Sequence, residues 1–445
     1  MTDRYQQFAN THFGRRVAKQ LGLPAPTPLR RHRPGEPDIA GPVLLGAAEG
    51  GRLGDSVAQT LMNADVKAHT EAADGVRYGA LIFDATGIAD SSQLRALYEF
   101  FHPVIRSVVS CGRVIVLGGV PEEAGDLREA AAQQGLEGFV KSVGKEIGRG
   151  SSANLVRVGR GAESGLDSTL RFLASARSAY VSGQAVHVTP GVVPDNLDVT
   201  RPLAGNTALV TGAARGIGAV IADVLAEYGA QVVCLDLTAS GDDLSQVANR
   251  IGGSALQLDI TSSEAPRTIA DHLQSRYGGV DIVVHNAGIT RDKTLAKMTE
   301  QQWASVIEVN LSSQERIDDT LLGEKVLNDR GRIVAVASIS GIAGNAGQTN
   351  YATSKAAVAG RARALAPAMR KRNGTVNAVA PGFIETAMTA KIPLVIRQAG
   401  RLMNSMSQGG LPRDVAETVA WLADPASNGV NGNVVRVCGQ SLLGA

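Results

Sequence analysis

From residue 41 onward, short apolar runs alternate with longer amphipathic stretches. VLLGA, ALIFDA, RVIVLGG, NLVRVG and AVHV punctuate residues 41–189, and the pattern restarts more strongly at 205 with TALVTG, QVVCLD, VDIVVHNAG, RIVAVAS, TVNAVAPG and NVVRV. Nearly continuous apolar strands separated by helix-length segments predict parallel sheets covered by helices on both faces. Residues 190–204, PGVVPDNLDVTRPLA, read as a linker. Residues 1–40 read as an arm: a helix-like stretch, then PAPTPLRRHRPGEPD, whose prolines favour an extended course. The predicted fold is α/β, two tandem doubly wound (Rossmann-like or flavodoxin-like) parallel-sheet domains at 41–189 and 205–445. The arm's basic cluster reads either as a site for an acidic partner or, preferred here, as a solvated or core-bracing segment.

The two halves look like copies. FLASARSAYVSGQAVHV (172–188) aligns without gaps to WLADPASNGVNGNVVRV (421–437), and GRVIVLGG (112–119) to GRIVAVAS (331–338). The alternative, two unrelated α/β domains, does not by itself produce ungapped agreement at matching places.

Composition narrows the class. A chain of 445 residues has room for two or three domains. Its net charge of +2 gives no case for nucleic acid or a membrane surface. Cys111, Cys234 and Cys438 are widely spaced, which predicts neither a disulfide framework nor a metal site and fits a reducing compartment. The N-terminus has no apolar signal core and no stretch is long enough to span a bilayer. A cytoplasmic protein without membrane insertion is expected.

Residues 211–218, TGAARGIG, lie between strand ALV and helix IGAVIADVLAEYG. Gly212, Gly216 and Gly218 meet the needs of a dinucleotide loop: a tight turn, close backbone approach to pyrophosphate, and close packing of helix on strand. The helix N-terminus then offers N–H groups to phosphate. Asp236 ends the next strand, where a carboxylate grips the adenosine ribose and repels a 2′-phosphate. NAD(H) is therefore expected over NADP(H), with Arg215 as the counter-signal. The first half has GAAEGGRLGD (46–55) in the same place. Aligned through the helices, Gly218 matches Gly54, but Gly216 falls on Arg52 and Gly212 on Ala48. This reads as a phosphate loop that kept its turn and lost its function.

In QTNYATSKAAVAG (348–360), Tyr351 and Lys355 share one face of a helix. Ser338 ends strand RIVAVAS and Asn310 sits in VIEVNLSS. A carbonyl reductase needs an acid, a donor to position the carbonyl and a held nicotinamide. Free tyrosine, with a pKa of about 10, shuttles protons poorly near neutrality, and a neighbouring ammonium favours its phenolate.

TGAARGIG, HNAG (285–288), the Asn310–Ser338–Tyr351–Lys355 set and PGFIET (381–386) resemble the short-chain dehydrogenase/reductase family. NAGITRDKTLAKM, GNAGQTNYATSKA and APGFIETAMT are most similar to its bacterial β-ketoacyl-carrier-protein reductases. The resemblance covers about 205–440, and the extra N-terminal domain resembles the high-molecular-weight members of that group. It implies that Tyr351 is the general acid and that Ser338 orients the carbonyl. It further implies that Lys355 binds the nicotinamide ribose and lowers the Tyr351 pKa, while Asn310 holds a water in the relay. Asp259, followed by Ile260, would touch the adenine. Ile217 in the loop, Asn286, Ala287 and Gly288, and Pro381, Gly382, Ile384 and Thr386 would complete the cofactor site. The implied activity is NADH-preferring reduction of 3-oxoacyl thioesters, on CoA or carrier protein, in fatty-acid metabolism, without a metal. Another carbonyl or alcohol substrate, or a non-catalytic NAD-binding scaffold, are the competing readings.

His285 stands where the family often has Asn, with little effect expected, and CGQSLLGA departs from the usual glycine-rich ending. In the first half Ser338, Tyr351 and Lys355 align to Gly119, Glu129 and Gln133, so that copy is expected to be silent. Segment 387–411 reads as a lid over an acyl chain or as a core-packing helix pair. RARALAPAMRKR (361–372) reads as a dock for CoA phosphates or an acidic carrier, or as complement to a helix dipole. Relatives with one domain commonly form homotetramers, so a chain with two is expected to form a homodimer.

Overall fold

A computed structural model of the protein describes residues 26–194, 198–387, 389–391, 398 and 400–442, with Thr11, Gly14, Arg16 and Gln20 before them. Of the helix expected in the arm, Gly14, Arg16 and Gln20 are among the described residues and are helical; the rest lies outside them. The chain forms two compact units. The first holds Met1–Gly191 together with Ile392–Gly410 and Val437–Leu442; the second holds Val192–Lys391, Leu411–Arg436 and Leu443–Ala445. This is not the single cut that the linker at 190–204 predicts, because two late segments belong to the first unit.

In the first unit the elements are β1 (Val43–Ala47), α1 (Gly54–Asn63), β2 (Ala68–His69), β3 (Tyr78–Asp84), α2 (Arg95–Val104), β4 (Val108–Gly118), α3 (Leu127–Glu146), β5 (Ser152–Val158), α4 (Leu166–Ala174) and β6 (Ala185–Val188). The sheet order is β2-β1-β3-β4-β5-β6. In the second they are β7 (Thr207–Thr211), α5 (Gly216–Glu227), β8 (Gln231–Asp236), α6 (Gly241–Ile251), β9 (Ser254–Gln257), α7 (Ala265–Tyr277), β10 (Val280–His285), α8 (Glu300–Ile307), α9 (Ser313–Gly323), β11 (Leu327–Val336), α10 (Ile339–Ala343), α11 (Thr349–Lys371), β12 (Thr375–Pro381), α12 (Pro412–Ala423) and β13 (Val434–Val437). That sheet runs β13-β12-β11-β10-β7-β8-β9. Pairing in both sheets is parallel, as between β1 and β3 or β7 and β10. The apolar strand runs are buried on both faces: every residue of β3, β5 and β12 is inaccessible, and Leu81, Ile115, Leu209 and Val283 sit at the centre of their cores.

The two units repeat one another down to their buried polar groups. Arg113 on β4 and Arg332 on β11 are both buried, and burial pushes both guanidinium groups down to about 10. Each donates to a carbonyl two residues back, Cys111 or Arg330, and each of those residues has positive φ, 58° or 63°. Each also donates to the turn before the last strand, at Ser175 or Pro425. Asn154 on β5 donates to Val181 O and accepts from Gln184 N–H; Asn377 on β12 does the same with Val430 and Asn433. Buried amides must be satisfied, and in both copies the asparagine donates to a valine carbonyl in the turn before the last strand and accepts from the N–H three residues further on. Shared strand composition cannot produce this; duplication can.

Within the first unit the arm braces the core. Cys111 Sγ accepts Arg30 N–H and donates to Pro28 O, and the Arg30 guanidinium donates to the carbonyls of Pro37 and Asp38. Asp38 pairs with His32 and Arg177; burial raises its pKa, but these partners outweigh it and hold the carboxyl below its usual value. The late segments close on the same unit. Tyr180 Oη donates to Gln408 O (2.7 Å) and accepts from Asn404, while its carbonyl accepts Gly439 N–H. Gln440 donates to Lys141 O, and its side chain fills the space where a Cβ on Gly144 or Gly183 would fall. The departure of CGQSLLGA from a glycine-rich ending thus has a packing reason: Gln440 holds a left-handed φ of 57° to reach these partners.

Candidate active site

The second sheet reverses strand order between β7 and β10, the switch point at which α/β sheets take ligands beyond their strand ends. The loop after β7 is shaped for close backbone approach. Gly212 and Gly216 have φ of 67° and 62°. A Cβ on Gly218 would lie 2.1 Å from the Gly212 carbonyl oxygen, so only glycine lets α5 start this near the strand. A Cβ on Gly216 would meet nothing, and Arg215, at the N-cap, lends no capping side chain. A dinucleotide pyrophosphate fits this cradle, with the first turn around Ile217 offering N–H groups. Asn286 Nδ2 ties the loop down through the carbonyls of Thr211 (3.0 Å) and Gly212 (3.1 Å), and Ala287 N–H donates to Thr211 Oγ1.

The remaining expected cofactor residues lie along the same strand ends. Asp236 accepts the N–H groups of Ala214 (3.0 Å) and Leu237 (2.8 Å) at the end of β8. Asp259 accepts Thr261 N–H beside the buried Ile260. Pro381 ends β12, Gly382 follows, Ile384 is buried, and Thr389 holds both the Thr386 N–H and the Ile384 carbonyl. Of segment 387–411, Met388, Ile392–Arg397 and Ala399 lie outside the described residues, so the lid reading is not carried further.

The proton-transfer groups converge. Ser338 caps α10 by accepting Ser340 N–H (3.1 Å), and its side chain lies close enough to Tyr351 to favour the ionised form of that phenol. Burial raises the Tyr351 pKa, Ser338 partly offsets this, and Asp292 adds to it. Lys355 Nζ lies 5.8 Å from the Tyr351 ring centroid and donates to Val336 O (2.7 Å). Desolvation is the largest influence on the Tyr351 phenol, and the Lys355 ammonium is turned to the strand carbonyl. Asn310 is fully buried in a π-turn (Glu308–Ser312) between α8 and α9. Its Oδ1 accepts Ile289 N–H, and its Nδ2 donates to Ser354 Oγ, which donates to Tyr351 O. A Cβ on Gly288 would stand 3.2 Å from Asn310 Oδ1 and 3.3 Å from Lys355 Nζ, so these three residues share one point.

Two positioning residues escaped the sequence reading, although both lie in QTNYATSK. Ser354 is one. Asn350 is the other: wholly buried, it accepts Tyr351 N–H and donates to the carbonyls of Arg291 and Gln302. Further along α11, Arg363, Arg370 and Lys371 line a surface groove with Pro367, Asn431 and Gly432.

Lys355 is costly to the fold. Burial pushes its ammonium down to about 8 from an ordinary 10.5. Below about 8 the group is charged in folded and unfolded chains alike, and its desolvation weakens the fold by about 3 kcal/mol. Between 8 and 10.5 only the folded chain is neutral, so that cost fades and stability rises with pH. Lys355→Met, lacking the charge, is expected to melt above the wild type at pH 7 without cofactor, with the advantage shrinking toward pH 10.5. Melting curves across that range check this; a constant difference between the two proteins would refute it.

The first unit has the same frame with its polar groups turned inward. Asp84 ends β3 and is buried; its carboxylate accepts Leu53 N–H (2.7 Å) at the start of α1 and the N–H and hydroxyl of Thr86. A Cβ on Gly51 would lie 2.8 Å from the same carboxylate. Arg52, where the second unit has Gly216, pairs with Glu163 and donates to Val158 O. Gln133, aligned with Lys355, is buried, accepts Gly119 N–H and donates to the carbonyls of Ala85 and Ile88. An internal carboxylate thus occupies the mouth of the helix, and an internal amide closes the space beside it.

A nucleotide loop at the switch point and a Ser–Tyr–Lys–Asn cluster on neighbouring strand ends define a nicotinamide-dependent oxidoreductase. Residues 212–439 match the family model described as enoyl-(acyl carrier protein) reductase. The 3-oxoacyl-[acyl-carrier-protein] reductase of Vibrio cholerae is 41% identical over 237 residues, 53% of this chain and 97% of that protein. Those of Pseudomonas aeruginosa and Thermotoga maritima are 41% and 38% identical over 240 residues, 97% and 98% of their lengths. The chain belongs to the short-chain dehydrogenase/reductase family.

Proposed function

We propose that this protein reduces the 3-oxo group of acyl thioesters, carried on acyl-carrier protein or CoA, to the 3-hydroxy group, with NADH as the preferred cofactor. The observation that carries the reading is the Tyr351 ring standing 5.8 Å from Lys355 Nζ, with Lys355, Asn310 and Gly288 sharing one point and Ser338 at the start of α10 beside them. When bound, the nicotinamide supplies the hydride. Ser338 orients the substrate carbonyl, and Tyr351 gives its proton to the carbonyl oxygen. Lys355 brings positive charge to the nicotinamide ribose, and Asn310 hands the relay on to water. The loop from Gly212 to Gly218, with Arg215 and Ile217, and Asn286, Ala287 and Gly288 hold the cofactor. Asp259 and Ile260, and Pro381, Gly382, Ile384 and Thr386, complete its site. The NADH preference rests on Asp236, whose carboxylate lies against Ala214 N–H and repels a 2′-phosphate. The first unit contributes no second catalytic centre. With two α/β units per chain, a cytoplasmic homodimer matches the unit count of a homotetramer of single-unit relatives.

Acetoacetyl thioester reduction, followed by NADH absorbance, tests the activity; no turnover with either carrier would overturn it. Asp236→Asn is expected to improve NADPH use roughly tenfold, with Arg215 available to the 2′-phosphate. A wild-type enzyme that works better with NADPH than with NADH would remove the cofactor reading.

A further inference from the structure

His285 differs from the Asn common in the family, and the structure gives the exchange a partner. His285 Nε2 donates to Asp318 Oδ1 (2.8 Å), and both side chains are almost wholly inaccessible. The second carboxylate oxygen accepts Arg361 Nη1 (2.5 Å). Burial raises the Asp318 pKa, but the pull of His285 and Arg361 is larger in sum and holds the carboxyl below its usual value. A buried carboxylate of this kind is tolerable only with both partners in place.

The three residues lie on three elements that serve the site. His285 ends β10 and immediately precedes Asn286, which ties down the Thr211–Gly212 turn. Asp318 lies on α9, the helix that continues from the π-turn of Asn310; Gln314 on the same helix donates to Asn310 O (2.8 Å). Arg361 lies on α11, about 15 Å along the helix axis from Tyr351. Ordinary packing could hold α9 against the sheet, but it would not require a fully buried charge.

We propose that His285, Asp318 and Arg361 are positioning residues that lock the cofactor loop and the Tyr351 helix to one shared carboxylate. This rests on the reductase reading of the site. The two outer members act in different directions. His285 sets the strand end from which Asn286 reaches the loop, so it governs cofactor affinity. Arg361 sets the seat of α11, so it governs proton transfer.

Three full-length variants test this in steady-state kinetics with NADH and an acetoacetyl thioester. His285→Asn is expected to raise the KM for NADH about fivefold with little change in kcat; Arg361→Lys, to lower kcat about fivefold with little change in that KM; Asp318→Asn, to do both. A double His285→Asn/Arg361→Lys variant should then resemble Asp318→Asn. If all the variants that fold melt lower yet keep both constants, or lose both in equal measure, the lock is refuted. Should Asp318→Asn fail to fold, the split between the other two still decides. The rise in melting temperature on adding NADH, smaller for His285→Asn than for wild type, reads the cofactor arm without turnover. A wild type that reduces no thioester would thus end the functional reading and leave this test standing.

Discussion

Tyr351→Phe is expected to cut thioester reduction by a factor of about 10² to 10⁴ while NADH affinity stays near the wild-type value. The substitution removes one oxygen. The ring remains partly buried on α11 beside the Lys355 ammonium, so local packing and the held lysine are kept. What disappears is the hydroxyl that serves as the acid. Desolvation raises the pKa of that hydroxyl, so it keeps its proton at neutral pH, the state an acid requires. Steady-state rates and NADH fluorescence titration separate the two effects. Retention of more than a tenth of the activity would transfer the acid role elsewhere. A parallel loss of NADH affinity would mean the tyrosine holds cofactor and does not act as the acid.

The parts of this molecule legible in its sequence are those governed by short-range rules. Apolar runs such as VDIVVH have to be parallel strands because both faces are covered, and the glycines of TGAARGIG are imposed by left-handed backbone at 212 and 216 and by close approach of helix to strand at 218. The Tyr351 and Lys355 pair is visible because a helix fixes which residues share a face. Other features depend on partners far apart in the chain. The closing of the first unit's loop by Asp84 is one: Asp84 sits 31 residues beyond Leu53, and FDATG carries no periodic mark of where its carboxylate points. The docking of Gln440 on Lys141 spans 299 residues. His285 was visible as a departure from the family, but its meaning lies in Asp318 and Arg361, on two other elements. Adjacency on a helix shows that Tyr351 and Lys355 are near one another, while the desolvation that acts on the phenol belongs to the tertiary structure.

The last expected result concerns how many cofactors one chain takes. Calorimetric titration should give one NADH per chain, two per homodimer if light scattering finds two chains per particle, and Gly218→Val should abolish all of it. In the second unit any Cβ at 218 collides with the Gly212 carbonyl, 2.1 Å away, and valine adds two methyl groups at the same spot. The helix must retreat from the strand, and the N–H groups that meet phosphate retreat with it. Whether binding survives then depends on the first unit alone. There the Asp84 carboxylate already accepts Leu53 N–H at the mouth of α1, and a dianionic pyrophosphate entering would meet like charge in a buried setting. Arg52 cannot compensate, since its guanidinium is engaged by Glu163 and Val158 O. Gln133 holds the 85–88 loop closed through two carbonyls. Three side chains must give up internal partners before a ligand gains one. Two NADH per wild-type chain, or half the sites surviving in Gly218→Val, would show that the first unit still binds dinucleotide and that Asp84 moves aside for it.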